Sequence, residues 1–510
     1  MTNKIGTPFN SIFSWYIKKR IHQIELFKKY PFEVQEETLF KLLKRAKNTE
    51  IGKTYDFRSI HSISDFKNRV PLQQYEDALP YIKRSINGEK NILWPSQIKW
   101  FAKSSGTTTG KSKLIPVSRE SLEDCHYKGG KDLLALYYVN NPQTKLFKGK
   151  HLIIGGSSTI NYLNKDSYFG DLSAIIVKNL PWWCEWRRTP NKKITLLPEW
   201  EEKIAKLAAN TINEDVYIIA GVPSWTLVLL EHILKENNAK DILDIWPNIE
   251  LYMHGGVNFK PYSQQFNRLI PKKGMNYVQT YNASEGFFGI QDLRNSSSML
   301  LMLDYGIFYE FIPLNELKKG HPKTLLLNQV SLNEQYALVI SSNAGLWRYI
   351  IGDTIKFTSL NPFRFEITGR TKHFINAFGE ELIVENTDAA ITAAAEKTNS
   401  MILEYSVAPI FMNKKSGAHE WLIEFETFPN DLKKFTEILD STLKNLNSDY
   451  ESKRHKNLIL NFPVIKPLKK GVFYGWLKSK GKLGGQNKIP RLSNDRKYID
   501  EILEYAENHY

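Results

Sequence analysis

Serine, threonine, glycine and lysine crowd one short stretch, Ser104-Ser105-Gly106-Thr107-Thr108-Thr109-Gly110-Lys111-Ser112-Lys113, straight after the apolar Trp100-Phe101-Ala102. Small hydroxyl residues and glycines let a loop close around phosphate oxygens with its backbone N–H groups pointing inward. Lysines add point charges for the same anion. The stretch is not a Walker A loop, since Gly106-x-x-x-Gly110-Lys111-Ser112 is one residue short of that pattern. The same composition also describes a flexible surface loop.

Three further stretches carry candidate chemistry. Thr280-Tyr281-Asn282-Ala283-Ser284-Glu285-Gly286 follows an apolar strand-like run. A carboxylate beside a hydroxyl at a strand end can hold a magnesium ion on phosphate oxygens. Ser284 followed by Glu285 equally reads as a helix N-cap with an acidic first turn. Gly345-Leu346-Trp347-Arg348-Tyr349-Ile350-Ile351-Gly352-Asp353 ends in an aspartate whose two oxygens suit a pair of ribose hydroxyls. Gly352-Asp353 equally reads as a turn between two strands. Last, Gly481-Lys482-Leu483-Gly484-Gly485-Gln486-Asn487-Lys488-Ile489-Pro490-Arg491 places a lysine on a glycine-rich loop, where it could reach a carboxylate or a transferring phosphoryl group. A solvated basic segment is the plainer reading of that stretch.

These residues need elements to hold them. Ser11 to Lys47 reads as helix with a break at Pro31, packed on the body of the protein. His151–Gly155, Val216–Gly221, Ile249–Met253 and Asn276–Thr280 read as buried strands, and Trp225 to Leu234 as a helix. Strands alternating with helices argue an α/β fold with largely parallel sheets, in which ligands gather at the carboxyl ends of strands. The expected architecture is a large N-terminal domain of β-sheets flanked by helices, residues 1–369, and a smaller C-terminal α/β domain, residues 370–510. Asn361-Pro362 marks a turn near the boundary, and Phe363–Thr368 reads as the strand leading up to Gly369-Arg370.

Composition narrows the function class. The 510 residues exceed what one core supports, so at least two domains are expected. The formal net charge of +15 is spread along the chain with no nucleic-acid-binding signature, which argues against a nucleic-acid partner. Two cysteines, Cys125 and Cys184, exclude a disulfide framework and a cysteine-rich metal site, and each reads as a small buried hydrophobe. The opening residues do not read as a signal peptide, and no apolar run reaches membrane-span length. A cytoplasmic protein without stable membrane insertion is expected, a monomer or weak dimer.

Taken in order, the hydroxyl-rich loop, Tyr-x-x-Ser-Glu, the Arg348 to Gly352-Asp353 segment, Gly369-Arg370 and the late Lys488 follow the layout of adenylate-forming enzymes, the superfamily that includes firefly luciferase. More narrowly, the chain resembles the acyl acid amido synthetases of the auxin-responsive Gretchen Hagen family and their bacterial relatives. The resemblance runs from Asn48-Thr-Glu-Ile-Gly-Lys-Thr-Tyr-Asp56 to Pro490-Arg491.

The resemblance implies an ATP-dependent ligase that forms an acyl-adenylate from a carboxylic acid, releases pyrophosphate and passes the acyl group to an amine, an amino acid in this family. It implies that Ser104, Ser105, Gly106, Thr107, Thr108 and Thr109 cradle the triphosphate with Lys113 nearby. His254-Gly255-Gly256-Val257 and Thr280 take the adenine side, Tyr281 stacks near adenine, Ser284 meets the α-phosphate and Glu285 binds Mg²⁺. Asp353 holds the ribose, Arg370 contacts the nucleotide from the junction, and Lys488, on a mobile C-terminal domain, stabilises charge during adenylation. Two departures stand out. Trp347 replaces the usual tyrosine, which preserves a large aromatic for packing. Where plant members carry a lysine after the junction arginine, this chain has Glu381 beside Glu380, so neither is assigned a role in acyl transfer. Trp182, Trp183, Trp186 and Gly221–Trp225 read as core, with an aromatic acid pocket as the alternative. A thiol acceptor (coenzyme A or a carrier protein) and a nucleotide sensor without activity remain the other readings.

Overall fold

Pro31 lacks an N–H and starts a helix well, so it divides the N-terminal stretch as expected. Helix Pro8–Lys29 stops just before it and helix Pro31–Ala46 begins on it. Ile24, Phe27, Leu39, Leu42 and Leu43 are buried, so both helices pack on the body. Arg20 pins the first helix through Asp132 at 2.7 Å and Asp304 at 2.6 Å. The computed structural model describes residues 8–104, 113–155, 161–164, 167–180, 185–197, 199–256, 259–317, 319, 321–371, 374–375, 377–378, 380, 382–411, 417–454, 460–483 and 488–510.

A four-stranded sheet, in the order β2-β1-β5-β4, joins β1 (Trp100–Ser104), β2 (Lys113–Val117), β4 (Asn161–Asn164) and β5 (Ser167–Gly170). The main sheet has eleven strands among the described residues: β3 (Lys150–Ile153), β6 (Arg188–Thr189), β7 (Val216–Ala220), β8 (Leu251–Gly255), β9 (Asn276–Ala283), β10 (Gly286–Ile290), β11 (Met299–Leu301), β12 (Ile307–Pro313), β13 (Gln335–Ser342), β14 (Tyr349–Leu360) and β15 (Phe363–Arg370). Their order is β12-β13-β14-β15-β11-β10-β9-β8-β7-β3-β6.

Only one half of this sheet is parallel. β9, β8, β7, β3 and β6 run parallel, with helices such as Pro223–Asn237 crossing between them. From β9 to β12 every pairing is antiparallel. The expectation of largely parallel sheets is corrected accordingly. The cause is connection length: two residues join β9 to β10 and two join β14 to β15, too few for a crossover helix. Strands such as Ile307–Ile312 are buried on both sides and show no alternation, whereas β14 and β15 at their hairpin alternate buried and half-buried positions.

Beyond Arg370 the chain builds a separate sheet, β18 (Met401–Phe411), β19 (Gly417–Thr427) and β20 (Val464–Leu468), with helices Val384–Lys397 and Leu432–Leu446 and a short pair, β16 (Phe374–Ile375) and β17 (Leu382–Ile383). This region has its own core around Trp421, Tyr405 and Leu439. One apolar cluster nevertheless spans both regions: Trp200, Trp225 and Leu229 pack together with Val472, Phe473, Trp476 and Ile502. No helix among the described residues is long and apolar enough to cross a membrane.

Candidate active site

The carboxyl ends of β3, β7, β8 and β9 open into one cleft of about 1520 Å³. Ser104, Gly255, Gly256, Thr280, Tyr281, Ser284, Glu285, Asp353, Arg370 and Lys488, drawn from widely separated stretches, all line it. Lys113 begins β2 and stands over the Tyr75 ring, 5.3 Å from its centroid. It is not among the lining residues, although its charge reaches Glu285. Ser105, Gly106, Thr107, Thr108, Thr109 and Val257 lie outside the described residues, as do Trp182, Trp183, Cys184 and Glu381.

Neither bland reading of the central motifs describes the local structure. Ser284 and Glu285 form the two-residue turn between β9 and β10, with Ala283 opposite Gly286, rather than a helix N-cap. Asp353 lies inside the long strand β14, directly opposite Arg370 on β15, rather than in a turn. Gly352 precedes it with φ +93°, a left-handed backbone that suits glycine, and the register with β13 slips across this segment.

The cross-strand pair is tied together. Arg370 Nε donates to Asp353 Oδ1 at 2.8 Å, and the Tyr281 hydroxyl donates to the other oxygen, Oδ2, at 2.5 Å. Burial, then the Asp353 charge, pushes the Tyr281 phenol well above its ordinary range, so it stays a donor. The Tyr281 ring meets Phe288 at 4.8 Å and Phe365 at 6.1 Å between centroids.

Glu285 is nine-tenths buried. Desolvation, then repulsion from Asp353, pushes its carboxyl up to about 7. Beside it, Ser284 Oγ is buried with no hydrogen-bond partner among the described residues. A desolvated carboxylate next to an unpaired hydroxyl fits a ligand that brings positive charge and its own oxygens. No group of three or more His, Cys, Asp or Glu among the described residues could hold a metal alone. Magnesium held by one carboxylate and the substrate's phosphates needs no such cage.

The His254-Gly255-Gly256 segment is shaped by close approach. A Cβ on Gly255 would fall 2.6 Å from the Thr280 carbonyl oxygen of the neighbouring strand. Gly256 has φ +85°, and its carbonyl accepts a hydrogen bond from Lys488 Nζ. His254 stacks on Phe259 at 4.3 Å, and burial pushes its imidazole down to about 3, so the ring is neutral. Lys488 stands in the cleft where water still touches it, with protein mass all around. Desolvation, then the Arg370 charge, pushes its ammonium down to about 8.

Several expected or unassigned residues turn out to be framework. Arg348, inside the third motif, is buried and gives two 2.9 Å bonds to Glu310 and two of 2.7 Å to the carbonyls of Lys67 and Val70. Trp347 is fully buried, packs on Phe57 at 4.6 Å and donates to the Leu93 carbonyl, so the aromatic exchange preserves packing. Cys125 is buried and accepts from the Phe287 N–H at 3.1 Å, as a small core residue would. Glu380 is fully buried against His419 at 2.7 Å and faces no cleft. Trp186 is exposed, whereas Gly221, Val222 and Trp225 do line the cleft, with Trp225 edge-on to Trp200 at 4.7 Å.

Two features were not legible in the sequence. His126 is buried at the cleft wall, and its Nδ1 lies 2.9 Å from the Asn282 side-chain oxygen, inside the Tyr-x-x-Ser-Glu motif. Tyr262, Glu404 and Arg491 also meet there. Lone residues so far apart in the chain leave no spacing to read.

Three family models match in order: the GH3 family N-terminal domain over residues 20–275, its central domain over 300–370 and its C-terminal domain over 385–497. The chain belongs to the GH3 family. It is 24% identical to the indole-3-acetic acid-amido synthetase GH3.4 of Arabidopsis thaliana, over 93% of this chain and 91% of that one. The solved AtGH3.15 acyl acid amido synthetase in complex with 2,4-DB superposes with a TM-score of 0.79 at 18% identity, over 99% of this chain and 98% of that one. A 2-hydroxyisobutyryl-CoA ligase in the postadenylation state, in complex with R3-HIB-AMP, follows at a TM-score of 0.53 and 11% identity, over 93% and 91%. At such identities the two solved structures establish the fold of this GH3 member and nothing finer.

Proposed function

We propose that this chain is an ATP-dependent acyl acid amido synthetase, joining a carboxylic acid to an amine, an amino acid, through an acyl-adenylate. The observation that carries the reading is the convergence of Asp353, tied to Tyr281 and Arg370, with Glu285 and Lys488 on one cleft. Membership of the GH3 family and the amido synthetase names within it support the amide.

The substrate carboxylate attacks the α-phosphorus of ATP. An O–P bond forms, the bond to the β-phosphate breaks, and pyrophosphate leaves. Asp353 accepts from the ribose hydroxyls while Tyr281 and Arg370 hold it in place. Ser104 through Thr109 cradle the triphosphate with Lys113 nearby, Ser284 meets the α-phosphate, and Gly255, Gly256, Val257 and Thr280 border adenine. Glu285 would hold a magnesium ion, which offsets charge on the phosphate oxygens. Lys488 stabilises charge gathering on the α-phosphate, an electrostatic contribution. In the second step the neutral amine nitrogen attacks the acyl carbon, the C–N bond forms, AMP leaves with the electrons of the C–O bond, and the nitrogen gives up one proton to solvent. Division at residues 369/370 lets the C-terminal part reorient between the steps and close the site to water. A cytoplasmic protein acting on small molecules fits this reading.

The test is carboxylate-dependent exchange of labelled pyrophosphate into ATP across a panel of acids. At least one acid should support exchange, and Lys488→Ala should lower it about a hundredfold or more. Exchange with no acid sinks the adenylation reading, and an unchanged rate in the variant removes Lys488 from it. The fold shared with a CoA ligase keeps one second reading, a thiol acceptor. Supplying amino acids and coenzyme A in parallel separates the two by product.

A further inference from the structure

Lys488 belongs to a segment that the C-terminal sheet holds firmly. The Val407 N–H donates to the Arg491 carbonyl at 2.9 Å, the Ser493 N–H donates to the Val407 carbonyl at 3.1 Å, and the Ser406 hydroxyl donates to the Pro490 carbonyl at 2.6 Å. Wherever β18 goes, Lys488 and Arg491 go with it. Three residues beyond Lys488, the Arg491 guanidinium crosses to the opposite wall. Its Nη2 donates to the Tyr262 hydroxyl at 2.8 Å while Nη1 pairs with Glu404 at 2.5 Å. The Tyr262 hydroxyl in turn donates to Glu404 Oε2 at 3.3 Å. The guanidinium carbon lies over the Tyr405 ring, 4.2 Å from its centroid.

Tyr262 stands only six residues after Gly256, whose carbonyl receives Lys488. Two contacts therefore link the same two segments: Lys488 to Gly256 and Arg491 to Tyr262. The first is made by the candidate catalytic lysine, and the second lies outside the reacting centre. Tyr262 is 1% exposed, and the next helix supports the same seam through Gln265, which donates to the Ile402 carbonyl at 2.5 Å.

The geometry points to Tyr262 and Arg491 as positioning residues that latch the C-terminal part where Lys488 reaches the α-phosphate, and so favour the first half-reaction over the second. Chemistry makes the latch reversible. Arg491 and Glu404 both ride on the C-terminal part and stay paired when it moves. Only the neutral phenol is left behind, so opening strands no buried charge. A hydrogen bond to a charged pair is worth roughly ten- to hundredfold in an equilibrium, enough to bias two arrangements without locking one. The inference rests on the adenylation reading for what Lys488 does, but not for where it is held.

Tyr262→Phe keeps the ring and removes the hydroxyl, and Arg491→Lys keeps the charge and removes the fork. Tyr262→Phe is expected to lower the maximal rate of pyrophosphate exchange about tenfold, with KM for ATP changed less than about twofold. Aminolysis of a synthetic acyl-adenylate, the second half-reaction alone, should keep its rate within about twofold. Arg491→Lys should show the same split. Equal losses in both half-reactions would mark a merely structural role and overturn the proposal, as would unchanged exchange. Spin labels on Lys240→Cys and Glu437→Cys, with Cys184→Ser, report the arrangement without any substrate. Both positions are exposed. Tyr262→Phe should broaden the distance distribution, and an unaltered distribution overturns the latch. If no acid supports exchange in the parent protein, adenylation fails while the label distances still decide the latch.

Discussion

Glu285 links the chemistry of the site to pH. Its carboxyl titrates at about 7 in the fold against an ordinary value of 4.5. Below about 4.5 it is neutral both folded and unfolded, so it contributes no pH-dependent difference. Between these values the folded state holds a proton that the unfolded chain has released, and this contribution to stability falls as pH rises. Above 7 the whole penalty for a buried charge is in force. Glu285→Gln should therefore raise the unfolding free energy of the nucleotide-free protein by about 1–3 kcal/mol at pH 8 and leave it little changed at pH 4.5. Urea unfolding of parent and variant at the two pH values checks this, and an equal gain at both contradicts the assignment. The same carboxylate should make binding of the magnesium–nucleotide complex tighten as pH rises through 7, because the cation selects the ionised form.

Arg348 shows how an element can borrow a residue from a motif. It follows the turn after β13, with φ +43°, and its guanidinium bridges Glu310 on β12 to the carbonyls of Lys67 and Val70. The outer antiparallel strands and the helical segment before residue 70 meet at this cation, with Phe66 packed on Phe308 beside it. Glu310 is 1% exposed, so truncating the arginine leaves a carboxylate buried without its partner. Arg348→Met should cost about 3–5 kcal/mol in urea unfolding, the range for breaking one side of a buried ion pair. A loss below about 1 kcal/mol would show that water reaches Glu310 after all. The neighbouring Gly352-Asp353 depends on this anchoring, because β14 must be fixed for Asp353 to face Arg370.

Across the whole molecule, the cluster of Trp200, Trp225 and Leu229 with Val472, Phe473 and Trp476 ties the two regions together. These apolar side chains lose their cover if the chain is divided after Arg370. Residues 371–510 expressed alone should bind a hydrophobic dye such as anilinonaphthalene sulfonate more strongly per mole than the full chain, and should self-associate. Equal dye binding would mean that the C-terminal core is complete without the body. The same contact sets a condition on reorientation: a large movement must exchange this apolar cover for another, which favours two defined arrangements over a loosely tethered domain.

The sequence by itself determined the parts that depend on local chemistry. Pro31 separated two helices, the apolar runs ending at Ala220 and Met253 became strands, and the order of motifs placed the chain in its family. Tertiary structure alone decided which residues meet. Asp353 and Arg370 are a cross-strand pair because β14 and β15 form a hairpin, and Ser284-Glu285 is a strand turn because β10 returns on β9. Alternation is visible in Phe363–Thr368, yet it marks only a strand with one covered face and says neither which strand it pairs with nor in what register. His126 with Asn282, and Arg491 with Tyr262, are joined only by the folded path of the chain. Spacing along a sequence registers neighbours on one element, whereas a cleft between sheets is assembled from residues whose separation in the chain has no fixed relation to their separation in space.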